Sequence, residues 1–423
     1  MITKLIDNTS VKYTKTCTLI LCLMLSCLSS RAQWNEAFVQ NPGTGKYLAG
    51  IYGNADYSSN AVTTAFLTNY IQGSYLDDNL KQQVVSNLQN TNRLGYSLNY
   101  GAMGVLYNDT IKSHVFNFFI ALRHKSYINA AFPPDVFNVA FYGNASYAGQ
   151  TAKLSPFNLN SLSYQQLEIG SVCTNFGKVQ LGVGVSFLAG QQLQVINTSE
   201  GYLYTDPYGQ YIQLASNTKY NASDSTPGNY LNGYGASLDI YLSAPYKIAG
   251  KNGKVTVSMS DLGFIRWNSH SLSYNKDTTY LYNGININSI NGLENAAINK
   301  DSLQNKYFPL ARKLFYMSIP TTMSINTNTD IDIMHLELGA WYIFNTNSLP
   351  YFYAQGDKNF SHGWFGNLQI GYGGYSTYNA SISIGKQMKN TEIKLGINHL
   401  QGIIVPDELG GAGVIIELLH TFK

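Results

Sequence analysis

Residues 178–187 read KVQLGVGVSF, and every second side chain in this stretch is apolar. Successive side chains of a β-strand point to opposite faces, so the alternation predicts a strand with one apolar face and one small polar face. The same pattern returns at 93–101 (RLGYSLNYG) and at 254–261 (KVTVSMSD). The polar faces consist mainly of Gly, Ser, Asn, Gln and Thr. The sequence therefore predicts an all-β fold whose strands have one strongly apolar face.

The composition departs from that of an ordinary soluble β-protein. Only 12% of the 423 residues are charged, whereas typical soluble domains carry about 25%. Tyr and Phe are abundant, at 33 and 19 residues. Large soluble β-proteins use charge to protect their strand edges, and this chain has little charge to use. After residue 32 no run approaches the ~18 consecutive apolar residues of a membrane-spanning helix, so helical spans are excluded.

Residues 1–32 have the features of a secretory signal peptide. Three lysines precede the apolar stretch TCTLILCLMLSCL (16–28), and small residues around Ala32 suit cleavage. The apolar stretch is shorter than the ~20 residues of a membrane-spanning helix. The prediction is export, with a mature chain of residues 33–423. A lipoprotein signal ending at Cys27 is the alternative.

Removal of the signal changes the charge and the cysteine count. It takes four of the 27 basic and one of the 24 acidic residues, which leaves 23 of each and a formal charge of zero. A neutral chain without a basic cluster gives no reason to expect a nucleic-acid partner. Three of the four cysteines also leave, so Cys173 stands alone and an internal disulfide is excluded.

Export, alternating strands, few charges, many aromatic residues and no disulfide together indicate a transmembrane antiparallel β-barrel. The apolar strand faces would meet lipid, the polar faces would line the lumen, and aromatic residues would lie near the headgroups. Closure removes the unpaired strand edges that hydrocarbon cannot satisfy. The predicted location is the outer membrane of a Gram-negative bacterium.

Short and long connections alternate along the predicted strands, as they do in outer-membrane barrels. Short links are expected near 107–111, 174–177, 249–253, 327–330 and 388–391. The first strand is placed at 46–58, and 362–387 is interpreted as one long strand bent at Gly373-Gly374. The resulting count is about 12 to 14 strands, an even number, with the last strand ending on the side of the short turns.

The segment 60–92 contains a stretch with helical periodicity. In SYLDDNLKQQVVSNLQN (74–90), two aspartates suit a helix N-terminus and apolar side chains recur every four residues. These side chains are Leu76, Leu80, Val84 and Leu88. Two interpretations stay open: a lid or plug helix in the barrel mouth or lumen, or a helix packed on an external loop or at the periplasmic rim.

The stretch FPPDVFNVAFYGN (132–144) is compatible with two conformations. Two prolines interrupt strand pairing, and Asp135 suits the cap of a short helix that ends at Gly143. The alternation of Phe137, Val139 and Phe141 fits a strand equally well. A fold-back into the lumen and an external loop both remain open.

Candidate chemical sites are scarce. The seven histidines are scattered, and none has a second His or Cys at the spacing of metal ligands. His335 and Glu337 share one strand face, where a hydrogen bond in the lumen wall is favoured over an acid–base or metal pair. Cys173 has no local His and is interpreted as an inert thiol. The sequence therefore predicts no catalytic, cofactor-binding or metal-binding residue.

Three longer stretches resemble a known group of proteins. They are FLTNYIQGSYLDDNLKQQVVSNLQNTNRLG (66–95), AAFPPDVFNVAFYGNASYAGQTAKLSP (130–156) and FYMSIPTTMSIN (315–326). Together they resemble a family of outer-membrane β-barrel proteins of unknown function from Bacteroidota. That family is loosely similar to fatty-acid-transporter-type barrels and to barrels attached to gliding and secretion machinery. The resemblance implies the fold and the location, and it supplies no catalytic residues.

The chain ends in GVIIELLHTFK (413–423), which alternates almost to its last residue. Most domains end in frayed polar residues, so this pattern predicts the closing strand of the barrel. Its lipid-facing residues would be Val414, Ile416, Leu418 and Phe422. The resemblance implies that Phe422 belongs to a C-terminal signal read by the barrel-assembly machinery.

Three function classes are compatible with these features. A channel or transporter for small molecules, hydrophobic ones among them, predicts a lumen that the 60–92 segment can gate. A structural or scaffold barrel for secretion, motility or adhesion predicts a blocked lumen and loops that bind an envelope protein complex. An outer-membrane enzyme, the remotest class, predicts a converging polar triad. The expected partners are outer-membrane lipid and the assembly machinery, together with the transported molecule or the protein complex.

Overall fold

The computed structural model describes residues 36–111, 114–224, 230–248, 250–283, 310–331 and 334–423. The signal peptide expected at 1–32 lies outside these residues. The strands, in chain order, are β1 Tyr47–Ser59, β2 Asn92–Ile111, β3 His114–Phe132, β4 Thr151–Lys153, β5 Phe157–Phe176, β6 Val179–Thr205, β7 Ile212–Ala222, β8 Gly233–Ile248, β9 Lys251–Trp267, β10 Leu272–Tyr282, β11 Ala311–Arg312, β12 Phe315–Ser318, β13 Thr321–Ile331, β14 Met334–Phe344, β15 Tyr351–Asn359, β16 Trp364–Gly373, β17 Tyr378–Gln387, β18 Thr391–Asn398 and β19 Gly410–Phe422.

Fourteen of these strands form a closed antiparallel ring. Going round the ring, the order is β1, β2, β3, β5, β6, β8, β9 and then β13 to β19. The last strand closes the ring against the first, because β19 pairs with β1 from Tyr47↔Phe422 to Ser59↔Gly410. The predicted all-β antiparallel barrel with an even number of strands is confirmed. Outside the ring, residues 194–205 of β6 pair with β7, and β7 pairs in turn with β10.

The interpretation of 362–387 as one bent strand is wrong. The segment forms two strands, β16 and β17, joined by a reverse turn at 374–377. Gly373 and Gly374 have φ values of 105° and 74°, which glycine adopts easily and which let the chain reverse. A further strand, β15, lies just before this segment, so the number of ring strands remains even.

Short and long connections lie at opposite ends of the barrel. Short links at 177–178, 360–363 and 388–390 define what is called here the turn side. Both Tyr47 and Phe422 lie at this end, as predicted for the last strand. Connections such as 60–91 and 133–156 lie at the other end, the loop side.

The barrel exterior carries an apolar surface around its circumference. Large aliphatic side chains from strands on every part of the wall are about half exposed, among them Ile51, Leu122, Val185, Ile370, Ile384 and Leu395. Soluble monomers rarely expose apolar surface on this scale. A closed barrel with such an exterior suits hydrocarbon, because every ring strand is paired on both sides.

The α-helices of the described residues lie on the loop side. They are α1 Thr64–Ile71, α2 Asp78–Asn87, α3 Pro134–Tyr142 and α4 Leu400–Ile404. The N-cap of α1 is Thr63 and that of α2 is Asp77, each accepting a hydrogen bond from a backbone N–H three residues later. Within the stretch 132–144, residues 134–142 are helical rather than a strand, and Asp135 lies in the first turn and is not the cap. Among the described helices, none has the length and apolar character needed to cross a membrane.

Candidate functional site

The barrel interior is organised in three levels, and β3 passes through all of them. Its inward-facing residues include Phe119 near the turn side, Arg123 and Lys125 at mid-height, and Tyr127 towards the loop side. At about 3.4 Å per residue, Phe119 and Tyr127 are about 27 Å apart along the strand. The levels are called here the N-terminal plug, the charged belt and the chamber.

The N-terminal plug is the segment 36–43, which precedes β1 and lies across the turn-side opening. The Phe38 side chain is 1% exposed and stacks on Phe119 with ring centroids 4.0 Å apart. The Asn117 amide on β3 donates hydrogen bonds to the carbonyls of Phe38 and Val39, at 3.1 and 3.0 Å. On β17, the Gln387 amide donates to the carbonyl of Pro42 at 3.0 Å. The segment therefore connects two walls that have four strands between them in the ring.

The charged belt contains two ion pairs inside the barrel. Arg123 pairs with Glu168, whose side chain is fully buried. Lys125 Nζ lies 2.5 Å from Asp261 Oδ2, and both side chains are buried. Asp239 completes the set, accepting a hydrogen bond from the Asp261 backbone N–H at 2.8 Å. Buried charges are costly, and four of these five side chains are held in ion pairs.

Neutral side chains link the belt to further strands. Arg123 Nε donates to the Tyr52 hydroxyl on β1 at 2.5 Å. The Gln166 amide on β5 donates to Asp261 Oδ1 and to the Ser186 hydroxyl on β6, each at 2.9 Å. The belt therefore joins β1, β3, β5, β6, β8 and β9. The belt was not predicted from the sequence, although Arg123, Lys125 and Glu168 are charges at inward positions of strands whose other inward residues are neutral.

The chamber is a cavity of about 100 Å³ in the loop-side half of the lumen. Five aromatic residues contribute to its wall: Tyr96, Tyr127, Trp341, Tyr351 and Tyr375. The Trp341 and Tyr351 rings pack together with centroids 4.8 Å apart. The remaining wall is formed largely by glycine and by short polar side chains from β1, β2, β13, β17 and the 374–377 turn.

One carboxylate faces the chamber. Asp56 Oδ1 lies 2.7 Å from His399 Nε2, and Asp56 Oδ2 accepts a hydrogen bond from the Asn398 amide at 2.9 Å. His399 has φ 55° and ψ 49° at the start of α4, a left-handed conformation that turns the chain inward at the end of β18. Among the described residues that line the chamber, Asp56 is the only carboxylate and none is Lys or Arg.

Several polar atoms in the chamber wall have no hydrogen-bond partner among the described residues. They are Asn54 Oδ1, Thr322 Oγ1 and Trp341 Nε1, all buried. A buried polar atom left without a partner costs about 1–3 kcal/mol. A bound molecule or water in the chamber would remove this cost.

Tyr375 closes the chamber beneath the loops. Its ring extends from the 374–377 turn across to β2, where it lies directly on the backbone of Gly95. A Cβ at Gly95 would overlap this ring, so the glycine makes the close approach possible. Burial raises the pKa of the Tyr375 phenol, which therefore stays protonated at neutral pH.

The predicted helical segment forms a separate cluster above the barrel wall, called here the helical cap. Val84 is fully buried, while Leu76, Leu80 and Leu88 are partly buried against it. Phe66 of α1 and Phe137 of α3 complete the contact, with ring centroids 5.4 Å apart. The cap is tied to the last strand, because the Gly411 backbone N–H donates to the Thr64 hydroxyl at 3.0 Å. None of the four predicted residues lines the chamber.

The residues predicted on the last strand lie at the outer wall. Leu418 and Phe422 are 37% and 47% exposed, whereas Leu419 and Thr421 between them are buried. Val414 and Ile416 share the outward register and are half-buried. His420, also outward, is accommodated near the turn side by the Thr391 hydroxyl at 2.8 Å.

The other chemical candidates have separate structural partners. His335 Nδ1 lies 2.8 Å from Asp330, while Glu337 accepts a hydrogen bond from the Tyr353 hydroxyl at 2.6 Å. The lumen-wall interpretation of Glu337 agrees with this geometry. Cys173 is buried in β5. Within the part of the chain that the structure describes, no three His, Cys, Asp or Glu side chains converge to hold a metal ion.

A protein-family model matches residues 44–397, which run from before β1 to the penultimate residue of β18 and leave out β19. The chain belongs to the family of unknown function DUF5723. The match begins just after the plug, so it covers the belt and nearly the whole chamber wall. Comparison with curated protein sequences found no significant match.

Several solved barrels are similar in fold to this family member. A FadL homologue of Pseudomonas aeruginosa is 12% identical, with a TM-score of 0.44, over 92% of this chain and 94% of that one. The toluene transporter TodX of P. putida is 9% identical, with a TM-score of 0.42, over 92% and 94%. The toluene transporter TbuX of Ralstonia pickettii is 7% identical, with a TM-score of 0.43, over 92% and 93%. At these values the similarity says nothing about what the present chain binds.

Proposed function

We propose that this chain is an outer-membrane channel that binds a small molecule in the chamber and releases it towards the periplasm when the N-terminal plug moves. The chamber carries the proposal. It is an internal space with an aromatic wall and a few polar groups, the usual composition of a small-molecule site. The apolar exterior and the closed ring support the membrane location, and outer-membrane lipid and the barrel-assembly machinery are the partners this location requires.

The way the plug is held supports its movement. Residues 36–43 belong to no strand of the ring, and their contacts include a ring stack and side-chain hydrogen bonds from Tyr107, Asn117 and Gln387. Displacing them breaks no pairing between barrel strands. On the loop side, the helical cap containing Leu76, Leu80, Val84 and Leu88 would act as the lid, with Tyr375 beneath it.

Solute entry into proteoliposomes tests this function. Phe38→Ala removes the ring that stacks on Phe119, so we expect entry of small solutes to increase several-fold over the wild-type barrel. Gln40→Ala changes an exposed side chain of the same segment and is the matched control. Unchanged entry of every solute through a correctly folded Phe38→Ala barrel would contradict a plugged channel.

A scaffold role is the second candidate, favoured by the sheet that extends outside the ring. Residues 194–205 of β6 pair with β7, and β7 pairs with β10. Leu281 and Tyr282 at the end of β10 are 57% and 49% exposed. This surface suits an envelope protein partner. A stable complex that purifies with the barrel, together with absence of solute entry in all variants, would favour this role over transport.

A further inference from the structure

The electrostatic character of the chamber indicates which kind of molecule fits it. Asp56 contributes a carboxylate, and no Lys or Arg lies among the described lining residues. The nearest basic side chain on the β3 wall, Lys125, points into the belt and is paired with Asp261 at 2.5 Å. A carboxylate without a lysine or arginine beside it is therefore the charged feature of the described lining, and His399 is hydrogen-bonded to that carboxylate. Such a site favours a cation and opposes an anion.

The hydrogen-bonding groups of β1 also favour a cationic ligand. Asn54, Asp56 and Ser58 occupy successive inward positions of this strand and all line the chamber. Asn54 Oδ1 is a buried acceptor without a partner among the described residues. A ligand that carries N–H donors can satisfy Asn54 and approach Asp56 at the same time, because the two side chains are neighbours on one strand face.

The aromatic wall favours the same type of group. Tyr127, Trp341 and Tyr351 line the chamber together with Tyr96 and Tyr375. Aromatic ring faces attract ammonium groups, and this attraction is strongest where water is excluded. A carboxylate among the rings attracts an ammonium group, whereas it contributes no comparable attraction for a neutral aromatic molecule.

The size of the chamber limits the ligand. Its volume is about 100 Å³, whereas an engineered cavity of about 150 Å³ in another protein accommodates benzene. By this comparison a group of about four heavy atoms is the largest that fits without movement of the wall.

We propose that the chamber binds a small organic ammonium ion, with its nitrogen between Asn54 and Asp56 and its alkyl part against Trp341 and Tyr351. This assignment depends on the chamber being the ligand site of the proposed channel, and it names the class of molecule that the site selects. A long alkyl chain attached to the ammonium group would extend beyond the chamber.

Calorimetric titration of the purified full-length barrel in detergent tests the assignment with three probes of similar length. They are propylammonium, 1-propanol and propionate, which differ mainly in charge. We expect propylammonium to bind at least tenfold more tightly than 1-propanol and propionate not to bind. Equal affinity for propylammonium and 1-propanol, or tighter binding of propionate, would overturn the proposal.

Variants assign the effect to Asp56. Asp56→Asn should remove the preference for propylammonium, and Asp56→Glu should retain it. Asp407→Asn changes an exposed carboxylate on the same side of the barrel and should have no effect. A preference that persists in Asp56→Asn, with the folded barrel verified by its mobility on unboiled gels, would overturn the proposal.

The titration also separates this inference from the proposed channel function. Solute entry that increases in Phe38→Ala without any preference for propylammonium would refute the ammonium site alone. Selective propylammonium binding without solute entry in any variant would refute the channel and leave the binding site in place.

Discussion

The two halves of the barrel interior are built from the same kind of strand and yet differ in packing. In the turn-side half, Phe38 fills the lumen against Phe119, Val105 and Tyr107 in one apolar cluster. In the loop-side half, a cavity of about 100 Å³ remains and buried polar atoms such as Asn54 Oδ1 lack partners. The wall does not account for this difference. It depends on which segment enters the lumen: the plug fills the turn-side half, whereas the Tyr375 ring on the loop side leaves a cavity beside it.

The charged belt separates these halves, so breaking it should have the largest effect on the molecule. Glu168→Ala leaves Arg123 buried without its partner, and removal of one member of a buried ion pair costs about 3–5 kcal/mol. We expect a correspondingly lower free energy of unfolding, measured by denaturant titration of the folded barrel. Glu200→Ala on β6 is the control, because Glu200 is exposed. Equal stability of the two variants would show that the belt does not hold the halves together.

A smaller effect is expected in the loop-side half alone. Gly95→Ala places a methyl group against the Tyr375 ring, and overpacking of this kind costs about 1–3 kcal/mol. The ring should move away from β2, so propylammonium should associate with the chamber faster than in the wild type. The association rate can be measured by stopped-flow recording of the protein's tryptophan fluorescence.

Gly104→Ala on the same strand is the matched control for this change. A Cβ at Gly104 would lie 3.6 Å from Ile120, an ordinary contact. An identical association rate in Gly95→Ala, Gly104→Ala and the wild type would mean that Tyr375 does not control entry to the chamber.

The barrel itself could be predicted from local patterns. Alternation such as that of 178–187 specifies a strand and its two faces, and closure follows from the low charge content and the absence of helical spans. The missed turn at 374–377 has a local reason. Alternation continues on both sides of Gly373-Gly374, so the sequence does not distinguish a bend from a reversal until the pairing of β16 with β17 is known.

The candidate site was harder to predict, because its residues are far apart in the chain. Face parity places Asp56 in the lumen, but only the closure of β19 on β1 brings it beside His399. Arg123 and Glu168 meet because β3 pairs with β5, a register that the sequence alone does not define. The plug is a short segment without periodicity, so nothing in residues 36–43 indicated that Phe38 enters the barrel.

The central claim is that movement of the plug opens the turn-side half, and a disulfide lock tests it directly. A Cβ at Gly43 would lie 3.1 Å from the Thr421 Cβ, close to the ~3.5–4.5 Å spacing found in disulfides. Cys173 is buried and should not interfere. In proteoliposomes carrying the Gly43→Cys, Thr421→Cys barrel, we expect solute entry to cease under oxidising conditions and to return to the wild-type rate after reduction. The same rate before and after reduction, with the disulfide verified, would contradict the account.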